Sequence, residues 1–458
     1  VTSQQRLVLV ISIFASFVAF LDGSVVNVAL PAISKELGGG LLIQQWVADA
    51  YLITLGSLIL LAGSLSDLYG RKRILIWGLI GFGVTSILCA IAQSGVFLVI
   101  TRGLQGISGA LLVPSSLALI ISAFKDAPQA KAIGTRTAWT GVAFIVGPLL
   151  GGFLIDTLSW RWIFAINIIP IPICLWLLTK LTQKFETKKV KLDVFGAILC
   201  SVGLSGFVFG LIEQPKYGWT TLIITSLAVG ILCLVGFILY EKRVKMPMLP
   251  LSLFSIRNFS VGNLATIAIY GGLSIATFLI VIFLQQDDGY SAFSSGLSLL
   301  PITIIMFLLS PKFGALAGKY GPRIFMALGP IIGGLGFIII GRHVARMDYW
   351  TWLFPGVIVF SIGLSMTVAP LTAAVLGNIK PEDGGIASAV NNAIARVAGL
   401  ITIAFIGVVV AGNLNVASFR RSIILTGGLL ILGGVISMVG IQNSQKQKNQ
   451  SSQFMKAK

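Results

Sequence analysis

Charge is scarce in this sequence. Of 458 residues only 10% are Asp, Glu, Lys or Arg, against roughly 25% in soluble domains, so a chain of this length lacks the polar surface to face water. Histidine occurs once and cysteine four times. Cys89, Cys174, Cys200 and Cys233 sit singly in apolar runs, without disulfide or zinc spacing, and read as small hydrophobes. No Walker motif occurs, which argues against ATP as the driving force. No polar stretch is long enough to form a soluble catalytic or output domain. Acids are outnumbered by bases, 15 to 33, for a net charge of +18. That surplus lies mostly in short segments between apolar runs, where Lys and Arg act as topology signals and touch anionic lipid. No nucleic acid partner is expected.

What is abundant is apolar sequence: 56% hydrophobic residues with a mean hydropathy of +0.96. A membrane-spanning helix needs about 20 such residues. Fourteen stretches qualify: roughly 7–31, 43–66, 73–93, 96–122, 131–155, 160–181, 191–213, 220–240, 257–285, 293–317, 323–343, 350–376, 384–411 and 420–441. They are continuously apolar and too long for alternating barrel strands. The fold class is therefore an all-α integral membrane protein. With the N-terminus inside, most Lys and Arg fall in cytoplasmic segments, Arg71-Lys72-Arg73, the 180–191 loop and 242–257 among them. This predicts a multi-pass protein of the cytoplasmic membrane with both termini inside. The opening run exceeds a signal-peptide core and lacks an A-x-A site, so no cleaved leader is expected there.

A repeat organises the spans. GSLSDLYGRK at 63–72 matches GALAGKYGPR at 314–323, each after an even-numbered span. The separation is too great for six spans but fits six plus two. The chain thus divides into an N-terminal six-helix bundle (1–181), two inserted helices with connectors (182–256), a C-terminal six-helix bundle (257–441) and a polar cytoplasmic tail (442–458). Internal repeats of this kind characterise transporters, whose halves move about a central site.

Charged residues inside spans carry the functional signal. Asp22 lies near the middle of LVLVISIFASFVAFLDGSVVNVALP, where an acid costs about 3 kcal/mol. It is tolerated if it faces a wet cavity, pairs with a cation or holds a proton, and each makes it a candidate proton site. Local bonds to Ser24 or Asn27 are the structural alternative. Asp49 is a second acid, within span two or exposed near its end. Arg102 opens span four, with Gln105 on the same face at i+3, and needs a carboxylate partner; Asp22 and Asp49 are the candidates. The Asp22 and Arg102 depths differ by roughly 8 Å, a gap for a long Arg side chain plus one water. Arg136 sits near a span end, where snorkelling suffices. Asn27, Gln105, Asn391, Asn392, Arg396 and Glu213 are candidate cavity polar groups. Asp156 and Asp287-Asp288, at span ends, read as solvated caps or vestibule charges. In span five Gly147, Pro148, Gly151 and Gly152 form a kinked face that admits a close neighbour. Gly63, Asp67, Gly70 and Arg71 form a charged hairpin able to latch a neighbouring helix end.

LDGSVVNVALP, GSLSDLYGRKR, RGLQGISGA and GPLLGG resemble, in order, the motifs of the major facilitator superfamily. With fourteen spans, SWRWIFAINIIP (159–170) and GLIEQPKYGW (210–219), the chain is similar to the family's drug:proton antiporter branch, bacterial multidrug exporters included. The resemblance covers nearly the whole chain. It implies that Asp22 belongs to the first-span motif, Asp67 and Arg71 to the gating loop, Arg102 to the proton relay, and Gly147-Pro148 to the antiporter motif. Span ten (GLSLLPITIIMFLLSPKF) lacks the acid that relatives exporting multivalent cations carry, which argues against dicationic substrates.

The expected function is proton-coupled export of small amphipathic compounds or drugs by alternating access. The alternatives are a lipid or metabolite exporter or uniporter without proton coupling and, from another class, a membrane sensor. No enzyme activity, cofactor or metal is expected. The expected partners are a small-molecule substrate, protons and membrane lipids, with the protein a monomer.

Overall fold

The computed structural model describes residues 2–124, 126–182, 192–344, 348–380, 383–410 and 414–443. Among these, fourteen helices are long and apolar enough to cross a membrane: α1 (Ser3–Leu37), α2 (Gly40–Tyr69), α3 (Arg71–Ala90), α4 (Gly95–Ala123), α5 (Lys131–Thr157), α6 (Trp162–Thr179), α7 (Val194–Tyr217), α8 (Thr221–Glu241), α9 (Arg257–Gln286), α10 (Ala292–Tyr320), α11 (Pro322–Arg342), α12 (Tyr349–Leu376), α13 (Gly384–Val410) and α14 (Val416–Gly440). They coincide with the fourteen apolar runs, usually with extra residues at each end. Most of the 180–191 loop and nearly all of the tail fall outside the described residues.

Local chemistry sets several helix ends. Thr2 and Gln5 form a capping box that opens α1, and Asn415 and Ser418 form another that opens α14; each satisfies backbone donors left over at a helix start. Ser94 and Asp193 cap α4 and α7. α6 is irregular: a 3-10 turn at Ile166–Ile168 precedes Pro170, which lacks an N–H. A π turn at Tyr349–Leu353 opens α12.

By contacts the chain forms two compact units. The first comprises the chain to Pro250 with Leu284–Leu297. Its interior is apolar, with Leu75, Leu79, Phe82, Leu112, Leu119 and Phe124 buried together. α7 and α8 belong to this unit: Ser201 Oγ on α7 donates to Ser57 Oγ on α2 at 3.0 Å, and Ala197, Phe237 and Met248 form a small core against Leu58 and Leu61. The second unit comprises Leu251–Phe283 with Ser298 onward. There α11 and α12 meet along glycines: a Cβ on Gly336 would lie 2.6 Å from the Gly356 carbonyl, and Gly363 abuts Gly333 backbone. Phe283 stacks on Phe419 with centroids 4.0 Å apart.

The repeat is structural as well as sequential. Gly70 and Gly321 each end one helix and start the next at φ +95° and +91°, a left-handed conformation that favours glycine. Two residues on, Lys72 Nζ donates to the Leu181 carbonyl just past α6 at 2.8 Å. Its counterpart Arg323 donates through Nε to the Met438 carbonyl on α14 at 2.9 Å. In each unit the cation two residues past the glycine thus binds a backbone carbonyl at the end of another helix.

Candidate functional site

The polar centre of the first unit is built from five helices. Asp22 on α1 is 0% exposed and Arg102 on α4 is 2% exposed. Arg102 Nη1 lies 2.7 Å from Asp22 Oδ2. The sequence left room for one water between them; the ion pair is direct. The same Nη1 donates to Gln105 Oε1 at 2.6 Å, one turn away on the shared face, and Nε donates to the Val47 carbonyl on α2 at 3.2 Å. The guanidinium carbon stands 4.4 Å from the Tyr51 ring centroid and 5.7 Å from that of Phe164, so aromatic faces cover the cation. Gly109 makes room for the Tyr51 hydroxyl, 2.9 Å from where its Cβ would stand, and Gly106 abuts the Tyr51 carbonyl.

The other carboxylate oxygen is also held. Asp22 Oδ1 accepts from Gln105 Nε2 at 3.1 Å and from Asn167 Nδ2 on α6 at 3.2 Å. Both amides also donate to Ser86 Oγ on α3, at 2.9 and 3.3 Å. Cys89 Sγ donates to Thr101 Oγ1 at 3.3 Å beside them. Ser24 instead bonds the Leu21 and Ala143 carbonyls, and Asn27 is half-buried outside the network, so the local alternative for Asp22 does not hold. Asn167 and Ser86 were not foreseen. Asn167 had one signal, an amide inside the apolar WRWIFAINIIP run; Ser86 had none.

Asp49 contrasts with Asp22. It is 0% exposed rather than lying at an interface, and neither carboxyl oxygen has a hydrogen-bond partner among the described residues. Arg102 is ion-paired to Asp22 and not to Asp49. Arg136 does not snorkel either: it is 8% exposed, and its Nε donates to Ser16 Oγ at 2.7 Å while Nη2 donates to Ser116 Oγ at 3.0 Å.

The remaining expected residues are spread over several elements. Glu213 is 9% exposed and accepts from Trp46 Nε1 at 2.7 Å, a bond tying α7 to α2. In the hairpin, Arg71 pairs with Asp67 at 3.3 Å and donates through Nη1 to the Ala118 carbonyl on α4 at 3.1 Å. A Cβ on Gly63 would meet nothing within 4 Å. Gly147 and Gly151 of α5 pack against Ser24 and Val25 of α1, where any Cβ would collide. The next faces pack on the segment at 292–296: Gly152 against Phe293, and the Pro148 carbonyl against Gly296. Asp156 is not merely solvated there, since it accepts from the Ala292 and Phe293 N–H groups at 3.0 and 2.9 Å. In the second unit Asn391 Nδ2 donates to Asn263 Oδ1 and Thr266 Oγ1 on α9 at 2.9 and 3.0 Å. Asn392 is exposed and donates to the Ser388 carbonyl of its own helix, while Arg396 is half-buried on α13.

A buried Asp–Arg pair, hydrogen-bonded to the Gln105 and Asn167 amides, thus sits in a bundle of apolar helices. The profile described as Major Facilitator Superfamily matches residues 12–403 and again 262–457. Similar proteins include the multidrug transporter protein MdtP of Bacillus subtilis, 31% identical over 90% of this chain and 77% of its own. The puromycin resistance protein pur8 of Streptomyces alboniger is 32% identical over 88% and 81%, and the probable actinorhodin transporter of Streptomyces coelicolor is 29% identical over 88% and 72%. Among solved structures, an autoinhibited POT-family peptide transporter aligns with a TM-score of 0.71 at 14% identity, covering 95% of this chain and 96% of that one. The E. coli xylose transporter XylE aligns at 0.66 and 12%, covering 96% and 99%. The chain belongs to the major facilitator superfamily, and its fourteen spans and relatives are those of the drug:proton antiporter branch.

Proposed function

We propose that this protein is a proton-coupled exporter of small amphipathic compounds in the cytoplasmic membrane, acting by alternating access as a monomer with both termini inside. The observation that carries this reading is the Asp22–Arg102 pair, sealed from solvent and satisfied by Gln105 and Asn167. A buried ion pair is costly to make and costlier to break by halves. A proton arriving at Asp22 neutralises the carboxylate and frees Arg102 Nη1 from its ionic partner. Arg102 then has reason to rearrange among Gln105, Val47 and Tyr51, and the four other helices of the network respond. Proton release restores the pair. A conformational change that wets and dries this centre alternates its two charge states, which links proton affinity to opening. Relatives named for multidrug transport and for puromycin and methylenomycin A resistance support small toxic compounds as the exported class.

A second reading makes Asp49 the proton carrier. Its two unpartnered oxygens favour this, because a buried polar group without a hydrogen-bond partner is costly as it stands. The test is drug transport by the purified protein in liposomes under an imposed pH gradient, comparing wild type, Asp22→Asn and Asp49→Asn. The Asp22 reading requires loss of gradient-driven transport in Asp22→Asn and its survival in Asp49→Asn. The reverse pattern moves the proton site to Asp49. Transport indifferent to the gradient in the wild type leaves a uniporter.

A further inference from the structure

We propose that Arg136, with the hydroxyls of α1 and α4 around it, is a binding site for the anionic head of an amphipathic substrate. This rests on the export reading only in calling the ligand a substrate. Arg136 stands on α5 and is 8% exposed. Its contacts are neutral: Ser16 Oγ at 2.7 Å, Ser116 Oγ at 3.0 Å and the Val113 carbonyl at 3.4 Å. Three other arginines of the first unit have a carboxylate: Arg102 has Asp22, Arg71 has Asp67 and Arg161 has Glu36. Among the described residues Arg136 has none within ion-pair distance. Its bonds use Nε and Nη2, leaving Nη1 as the free edge of the fork.

A second observation comes from α1. Ser12, one turn before Ser16, is fully buried and its Oγ has no hydrogen-bond partner. An unpaired guanidinium and an unused hydroxyl in one apolar bundle are each unfavourable alone. An oxyanion at Nη1 compensates the guanidinium, and Ser12, one turn from Ser16, is an unused hydroxyl donor on the same helix. A cationic ligand would be repelled, and a neutral one would leave the charge uncompensated. A carboxylate suits it, since Nη1 offers charge-assisted N–H donors that no protein group occupies. Helix α1 connects this site to the proton centre, since Ser16 precedes Asp22 by about 9 Å of helix rise. A substrate anion here and a proton at Asp22 would therefore act on two shared helices, α1 and α4.

The anion could be a substrate carboxylate or a lipid headgroup, and the test separates them. Equilibrium binding of 2-naphthylacetate (anion) and its neutral amide is measured on the detergent-purified full chain, for wild type, Arg136→Gln and Arg136→Lys. The proposal expects wild type to favour the anion at least tenfold, Arg136→Gln to lose that preference with amide binding unchanged, and Arg136→Lys to retain part of it. A strut that merely braces the helices would weaken both probes together. Equal binding of the two probes by wild type, or a preference that survives in Arg136→Gln, overturns the proposal. So does stoichiometric displacement of the anion by phosphatidylglycerol, which assigns the site to lipid. If Arg136→Gln does not fold, Ser12→Ala takes its place and must lower anion binding while sparing the amide. None of these measurements needs a pH gradient, so failed proton coupling and a failed anion site give separate results.

Discussion

One nitrogen, Arg102 Nη1, lies 2.7 Å from Asp22 Oδ2 and 2.6 Å from Gln105 Oε1. It joins an ionic bond between helices to a bond along its own helix, so Arg102 cannot leave Asp22 without also disturbing Gln105. Gln105 in turn donates to the other Asp22 oxygen. Removing the guanidinium strands a buried carboxylate, a loss of about 3–5 kcal/mol. We expect Arg102→Ala to lower the melting temperature and shift the pH profile of transport. Arg102→Lys should restore part of each, because an ammonium supplies charge without the fork. Overlaid pH profiles for all three proteins would remove Arg102 from the coupling mechanism.

Asn167 is expected to matter for coupling although it carries no charge. Its amide reaches Asp22 Oδ1 and Ser86 Oγ. Asn167→Ala deletes a bond to a charged group, worth about 1.5–3 kcal/mol. The expected result is a transport optimum displaced in pH with substrate affinity within a few-fold of wild type. An unchanged optimum would reduce Asn167 to helix packing.

The glycine face of α5 has a steric prediction. Gly147 and Gly151 lie where a Cβ would collide with Ser24 and Val25. Gly147→Leu with Gly151→Leu should therefore abolish substrate exchange by the purified protein, or prevent folding. Wild-type exchange by the double variant would mean that this seam is free to separate.

At the turn between α9 and α10, burial raises the Asp287 and Asp288 carboxyls above their ordinary range, and the neighbouring Asp287 charge raises Asp288 further. For an acid raised on folding, the folded state holds the proton more tightly. Stability is then highest at acid pH and falls as pH rises from the unfolded range through the folded one. Asp288→Asn should raise the melting temperature at pH 7 and leave it unchanged at pH 3. A variant that melts with wild type at both pH values would contradict this.

Much of the fold was readable because membrane spans announce themselves by length and apolar continuity, and because Gly70 and Gly321 mark the same turn in both halves. The Asp22–Arg102 pairing was readable for a similar reason: two opposite charges in hydrocarbon need each other. The contact itself was not, since helix rise gives depth along an axis but not the rotation and tilt that bring Nη1 directly onto Oδ2. Asn167 and Ser86 escaped because an amide or a hydroxyl in an apolar run costs too little to stand out. Arg136 misled for the opposite reason. A cation near a span end has a cheap route to water, and only the packing of Ser16 and Ser116 around it shows that the route is not taken. The position of Asp156 was legible, but its role was not, because its partners are backbone N–H groups more than a hundred residues away.

The most direct test of proton coupling at Asp22 is a paired measurement on Asp22→Asn in liposomes: uphill drug transport under a pH gradient, and downhill drug exchange without one. The account predicts that uphill transport is lost while downhill exchange persists in a folded protein, since the amide keeps the acceptor for Arg102 but cannot carry the proton. Uphill transport at the wild-type rate would contradict it.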